Sequence, residues 1–249
     1  MIQSVLIVLV ASGVGLCIGV CGVAGFLLPI FFLSVCGYTS AQSLFLSFGC
    51  FLISGLLGAW NYRKRGELPA GAALPLGLSA LAGSLAGALV GQFFVSAHVR
   101  TVLYAVVLVS GVMIFVQDYL GRCRQDARQP RLHPGVLVPL GFVTAVICAM
   151  SGAGGPVLVM PLLVVLGLPV REAVGAALFD SVFIALPALF VYGAQGLSGA
   201  LIVPMALAFA AHAAGIMLGS RLAGRIPQQP LKRAIAVFSI AFSVWMLLK

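Results

Sequence analysis

Apolar residues fall into eight blocks, roughly 2–36, 39–61, 69–95, 99–120, 135–168, 171–193, 196–222 and 231–248, parted by short polar stretches. Six of these have lengths suited to one helical crossing of a bilayer. The first and fifth, at about 35 and 34 residues, are too long for that, because a single span needs only about 20. Each over-long block carries a group of glycines: Gly22 and Gly25 in GVAGFLLPIFFLSVCG, and Gly152, Gly154 and Gly155 in AMSGAGGPVLVMPLLVVLGL. Glycine has no Cβ and loses the most backbone freedom on ordering, so a cluster of them interrupts a helix. The pattern predicts that each long block enters the membrane, breaks at its glycines and returns to the side it left.

Composition supports a bilayer as the solvent. Hydrophobic residues make up 62% of the chain, charged residues 8%, and the mean hydropathy is +1.18, more apolar surface than a soluble domain can bury. The net charge of +9 is not a nucleic-acid footprint, because the basic residues cluster between apolar blocks as cytoplasmic loops do. The N-terminus lacks a basic residue ahead of its apolar run and does not read as a cleavable signal peptide. The six cysteines form no CxxC pair and point to neither a disulfide framework nor a zinc site. No phosphate-binding GxxxxGK[ST] loop is present, so nothing points to ATP hydrolysis.

The charges discriminate between two topologies. If both long blocks return to their starting side and the N-terminus is outside, Arg63, Lys64, Arg65, Arg122, Arg124, Arg128, Arg131, Arg171, Arg221, Arg225, Lys232 and Arg233 face the cytoplasm. That is 12 of the 14 basic residues, with Arg100 and Lys249 outside. If each block crosses once, the better orientation places only 8 inside. The positive-inside bias favours the first arrangement. Each half then has an odd number of passes, so the second half is inverted relative to the first. The expected architecture is an all-α integral membrane protein of two inverted repeats. Each repeat is a broken, re-entrant helix pair plus three transmembrane helices: residues 1–120, a basic cytoplasmic loop at 121–134, and residues 135–249, with both termini outside. An offset of 130 aligns Gly22 with Gly152, Gly25 with Gly155, Gly37 with Gly167, Tyr62 with Tyr192 and Gly66 with Gly196. An offset of 128 aligns Gly87 with Gly215 and Gly91 with Gly219.

Candidate chemistry starts at the breaks. A half-helix starting after Gly25 or Gly155 aims amide NH groups and a positive dipole end into the membrane, a site for an anion. Pro156 suits its first turn, and Ser151 adds a hydroxyl. Broken segments in corresponding positions of two halves point to a transporter's binding site. Asp180, in AALFDSVFIAL, is the carboxylate deep in an apolar block, and an intramembrane acid is a functional candidate by default. It is a candidate carrier of a coupling proton or cation. His212, in AFAAHAAG, is another and a possible partner for Asp180. Glu172 serves the start of its helix. The stripes Gly83–Gly87–Gly91 and Ala211–Gly215–Gly219–Ala223 read as close-packing faces. Trp60, Tyr62 and Trp245 read as interfacial anchors.

These residues resemble the sulfite exporter TauE/SafE family of membrane permeases over nearly the whole chain. The resemblance rests on the paired glycine clusters, on Gly152-Ala-Gly-Gly155 followed by Pro161, on Gly167-x-x-x-x-Glu172-Ala173-Val174-Gly175, and on the basic loop between two similar halves. It implies a carrier in the bacterial inner membrane for sulfite, sulfonates or related carboxylate anions. The first motif departs from the pattern, with Gly22-Val-Ala-Gly25 and an early Pro29. Ala176-Ala177 stands where a Thr-Ser pair often follows.

The expected function is a secondary transporter working by alternating access around the two breaks. Its partners are a small anion and lipid, with a proton as coupling ion and self-association both compatible. No cofactor, metal, catalytic residue or nucleic acid is implied. A passive anion channel is one alternative. A serine protease is another, since Ser151-Gly152 together with His212 and Gly215 resembles rhomboid intramembrane proteases, although Ala149 replaces their leading glycine.

Overall fold

The computed structural model describes residues 2–22, 24–93, 132–197 and 199–222, with single residues within 105–112 and 233–244. The expected spans 99–120 and 231–248, Arg100, Trp245 and residues 121–131 of the connecting loop lie largely or wholly outside the described residues. All regular elements described are helical. They are α1 (Ile2–Cys21), α2 (Leu27–Ile30) continued by a π-helical turn (Phe31–Val35), α3 (Ser40–Lys64), α4 (Ala70–Phe93), α5 (Pro134–Ser151), α6 (Gly155–Val165), α7 (Val170–Gly196) and α8 (Ile202–Leu222), the last preceded by a short turn of 3-10 helix. Six of them (α1, α3, α4, α5, α7 and α8) are long and apolar enough to cross a membrane.

Both over-long blocks break at their glycines. The piece after the first break, Leu27–Val35, and the piece after the second, α6, reach only about 13 and 16 Å at 1.5 Å per residue. Each covers about half of a 30 Å hydrocarbon core. The first block folds back on itself: Gln3 Nε2 donates to the Cys36 carbonyl at 3.3 Å, joining its two ends. α3 then starts from a capping box, in which the Thr39 hydroxyl accepts from Gln42 NH and the Gln42 side chain accepts from Thr39 NH.

The charged ends of α3, α7 and α8 gather on one face. Arg65 donates to the Ser220 carbonyl at 2.6 Å, Asn61 to the Ser220 hydroxyl at 2.9 Å, and Arg171 pairs with Glu67 at 3.1 Å. Eight single crossings would put residues 63–67 opposite residues 171 and 221, so these contacts agree with a fifth block that returns to the side it left, as the Gln3–Cys36 bond agrees with a returning first block.

At the centre α3 crosses α7. Gly55 and Gly58 of α3 lie against Leu178, Ser181 and Val182. Outside this pair, α8 packs on α1 and α3, while α4 packs on α5 and α7. The small-residue stripes do the close packing expected of them. Gly83 and Gly87 lie under the carbonyls of Phe142 and Val146, and Gly215 and Gly219 under those of Ser12 and Leu16. Ser12 and Phe142, like Leu16 and Val146, are 130 apart. The contacts therefore match Gly83 with Gly215 and Gly87 with Gly219, an offset of 132, one helical turn from the 128 read in the sequence. Tyr62 also differs from expectation. It is buried, 4% exposed, and packs on Gly175 instead of anchoring at an interface. Trp60 is exposed, with the Lys64 ammonium 5.0 Å over its ring.

Candidate functional site

The two breaks meet in the interior. Their turns are left-handed at matching positions, with φ of +73° at Gly22 and Gly152, +96° at Ala24 and +74° at Gly154, and the far ends of the pieces that follow match too, with +71° at Gly37 and +106° at Gly167. All three pairs are 130 apart. Glycine takes such angles without steric cost, whereas Ala24 holds one with a Cβ. The breaks then pack on the opposite half in matching fashion. Gly22 lies against the Val174 side chain of α7 and Gly152 against Leu44 of α3, again 130 apart. The Phe51 ring of α3 lies against both Gly25 and Gly154.

Between the breaks lies a cavity of about 10 Å³, lined by Gly22 and Gly25 of the first break, Ala153, Gly154 and Pro156 of the second, and Phe51 and Ser54 of α3. That is room for about one water, less than an oxyanion needs. A wider apolar groove of about 210 Å³ lies elsewhere, between α3 and α7, with Trp60 and Arg63 on its wall.

Local chemistry differs between the breaks. At the second, Pro156 sits in the first turn of α6 and has no NH, and Val157 NH donates to the Gly154 carbonyl at 3.3 Å. At the first, Leu27 and Leu28 donate to the carbonyls of Ala24 and Gly25 at 3.1 Å. Ser151 stitches its own break: its hydroxyl donates to the Ile147 carbonyl at 2.8 Å and accepts from Ala153 NH at 3.3 Å. The Cys148 thiol reaches the Gly154 carbonyl at 3.4 Å. The Tyr192 hydroxyl donates to the Ala149 carbonyl at 2.9 Å. The chain's turn at the second break is thus held from three sides.

Asp180 and His212 are both fully buried, but they do not pair. Neither Asp180 carboxylate oxygen has a hydrogen-bond partner. The neighbouring residue Ser181 lies against Gly155, so the acid is one residue from the second break. His212 Nδ1 is 3.0 Å from the Ala11 carbonyl and Nε2 is 3.4 Å from the Ser54 hydroxyl. The same partners separate His212 from Ser151, so no Ser–His nucleophile pair is formed here. No group of three or more His, Cys, Asp or Glu suited to a metal occurs among the described residues.

Three residues of the site escaped the sequence reading. Phe51 and Ser54 carry no motif, and only the folding of α3 between the breaks reveals them. Ala24 had a signal, its register with Gly154.

Neither a curated protein nor a solved structure matches the chain. The family model described as Sulfite exporter TauE/SafE matches residues 5–246. With six helices among the described residues long and apolar enough to cross a membrane, the chain is a multi-pass membrane protein and a member of the sulfite exporter TauE/SafE family of permeases.

Proposed function

We propose that the protein is a secondary transporter that carries a small sulfur-containing or carboxylate anion, of the sulfite or sulfonate kind, across the bacterial inner membrane. The halves 1–120 and 135–249 act as inverted repeats joined by the basic loop 121–134, with both termini outside. The anion sits between Gly22 and Gly25 of one half and Ser151, Gly152, Gly154, Gly155 and Pro156 of the other. The observation that carries this reading is the meeting of two left-handed glycine turns, one from each half, around a shared cavity. Amides at the start of α6 supply donors and a positive dipole end to a negative solute.

A cavity with room for one water supports a carrier over an open channel, because the halves must part before the anion enters. Among the described residues, the unpartnered Asp180 and the buried His212 are intramembrane groups able to carry a coupling proton.

The test is a flux screen in proteoliposomes with sulfite, sulfate, thiosulfate, sulfonates and small carboxylates, with and without a pH gradient. Accumulation of one of these beyond its electrochemical equilibrium supports a coupled carrier. Flux that never exceeds equilibrium supports the channel, and no flux of any of them overturns the proposal.

A further inference from the structure

We infer that Ser54 and His212 form a two-position hydrogen-bond switch that ties anion binding to the uptake of one proton, making transport an anion–proton symport. The inference rests on the anion reading of the cavity and adds the group that couples it.

Ser54 lines the cavity between the breaks and lies within reach of His212 Nε2. It is the side-chain hydroxyl on the cavity wall. The carbonyl of Ala11 can only accept, so Nδ1 at 3.0 Å carries the ring's hydrogen in the neutral form. Nε2 is then an acceptor. Ser54 has one hydrogen and three claims on it: the Cys50 carbonyl at 2.9 Å, the Phe51 carbonyl at 3.3 Å and Nε2 at 3.4 Å. The short bond to Cys50 takes it, and the hydroxyl offers nothing to the cavity.

Protonation of Nε2 reverses this arrangement. The ring then donates from both nitrogens, to Ala11 and to the Ser54 oxygen. The oxygen is held as an acceptor toward the ring, Nε2 no longer competes for its hydrogen, and that hydrogen can turn from the Cys50 carbonyl to an anion oxygen in the cavity, drawn by the stronger, charged acceptor. The anion in turn favours a cation two bonds away, so each ligand strengthens the other. On release at the far side the hydroxyl hydrogen returns to the Cys50 carbonyl and Nε2 gives its proton to water. One proton moves with one anion: the N–H bond made at Nε2 on uptake breaks on release, when water takes the proton.

Surrounding elements leave this role to His212. α8 packs on α1 and α3. The ionisable residues of α1 are Cys17 and Cys21; those of α3 are Cys50, Tyr62, Arg63 and Lys64, the last three more than two turns beyond Ser54; α8 itself adds Arg221 in its last turn. None of these is a carboxylate. The position 130 beyond Ser54 is Ile184, so the switch belongs to one half alone.

The test uses the full chain in liposomes with a trapped pH dye, a potassium-clamped membrane and an inward sulfite gradient. Sulfite uptake is measured in parallel, and protein-free vesicles correct for leakage. Sulfite's own titration is common to all variants and drops out of the comparison. Wild type should deliver protons to the lumen with sulfite. His212→Gln, whose amide donates to Ser54 permanently, should move sulfite with that proton delivery lost. Ser54→Ala, which keeps the ring, should also lose it, and guards against misfolding of the first variant. Protons per sulfite unchanged from wild type in either variant would overturn the switch while leaving the transporter reading intact. If wild type moves no anion in the wider screen, both fall together.

Discussion

Gly22 rests against the side chain of Val174, in a left-handed turn with φ of +73° where an added Cβ would come within 2.6 Å of the valine's Cγ1. Space and backbone angle therefore both demand glycine. Gly22→Ala is expected to destabilise the detergent-solubilised protein by about 1–3 kcal/mol. Adding Val174→Ala should recover part of this loss, because it removes the clash and leaves the backbone strain. Thermal melting of the two single variants and the double variant checks the sign of the coupling.

Ala24 makes the opposite forecast. Its φ of +96° is one an L-residue adopts at a cost of roughly 1–2 kcal/mol, and the matching position in the second half is Gly154. Ala24→Gly is expected to raise stability by about 1 kcal/mol, less the entropy a glycine adds to the unfolded chain. A melting temperature at or below wild type would show that the turn carries no such strain.

Cysteine labelling in intact cells tests the path of the chain. Glu67→Cys and Arg171→Cys, whose parent residues pair at 3.1 Å, should react with an impermeant maleimide from the same side, and only after permeabilisation if that side is cytoplasmic. Gln3→Cys and the native Cys36, joined in the fold by a hydrogen bond, should react together from the other side. Labelling of residues 67 and 171 from opposite sides would contradict the returning blocks.

Ser151→Ala separates a structural hydroxyl from a nucleophile. The hydroxyl accepts from Ala153 NH, and its loss is expected to cost about 1 kcal/mol and to reduce anion flux in proteoliposomes without abolishing it. Abolished flux with unchanged melting would instead make this hydroxyl a substrate contact.

Much of the site was legible in the sequence because it lies in backbone geometry, and glycine is how a sequence writes a left-handed angle. Gly22, Gly37, Gly152, Gly154 and Gly167 all take it. Ala24 takes such an angle without being glycine, so its own identity hid it and only its register with Gly154 pointed to it. The stripe register slipped by one turn because Gly83, Gly87 and Gly91 repeat every four residues, so an alignment moved by one turn still superposes two of them. Tyr62 read as an anchor because it follows Trp60 near a helix end, yet two residues is more than half a helical turn, which carries one ring outward and the other into the core. The partners of Asp180 and His212 were beyond reach altogether. Both residues are single polar groups on apolar helices, and which neighbour each meets depends on how helices far apart in sequence cross.

Phe51 touches both tips, at Gly25 and at Gly154. One aromatic ring therefore acts as the gauge block of the aperture. On the transporter reading, trimming it to a smaller aliphatic residue is expected to widen the gap between the tips, and the bulk of solute admitted then becomes adjustable at a single codon.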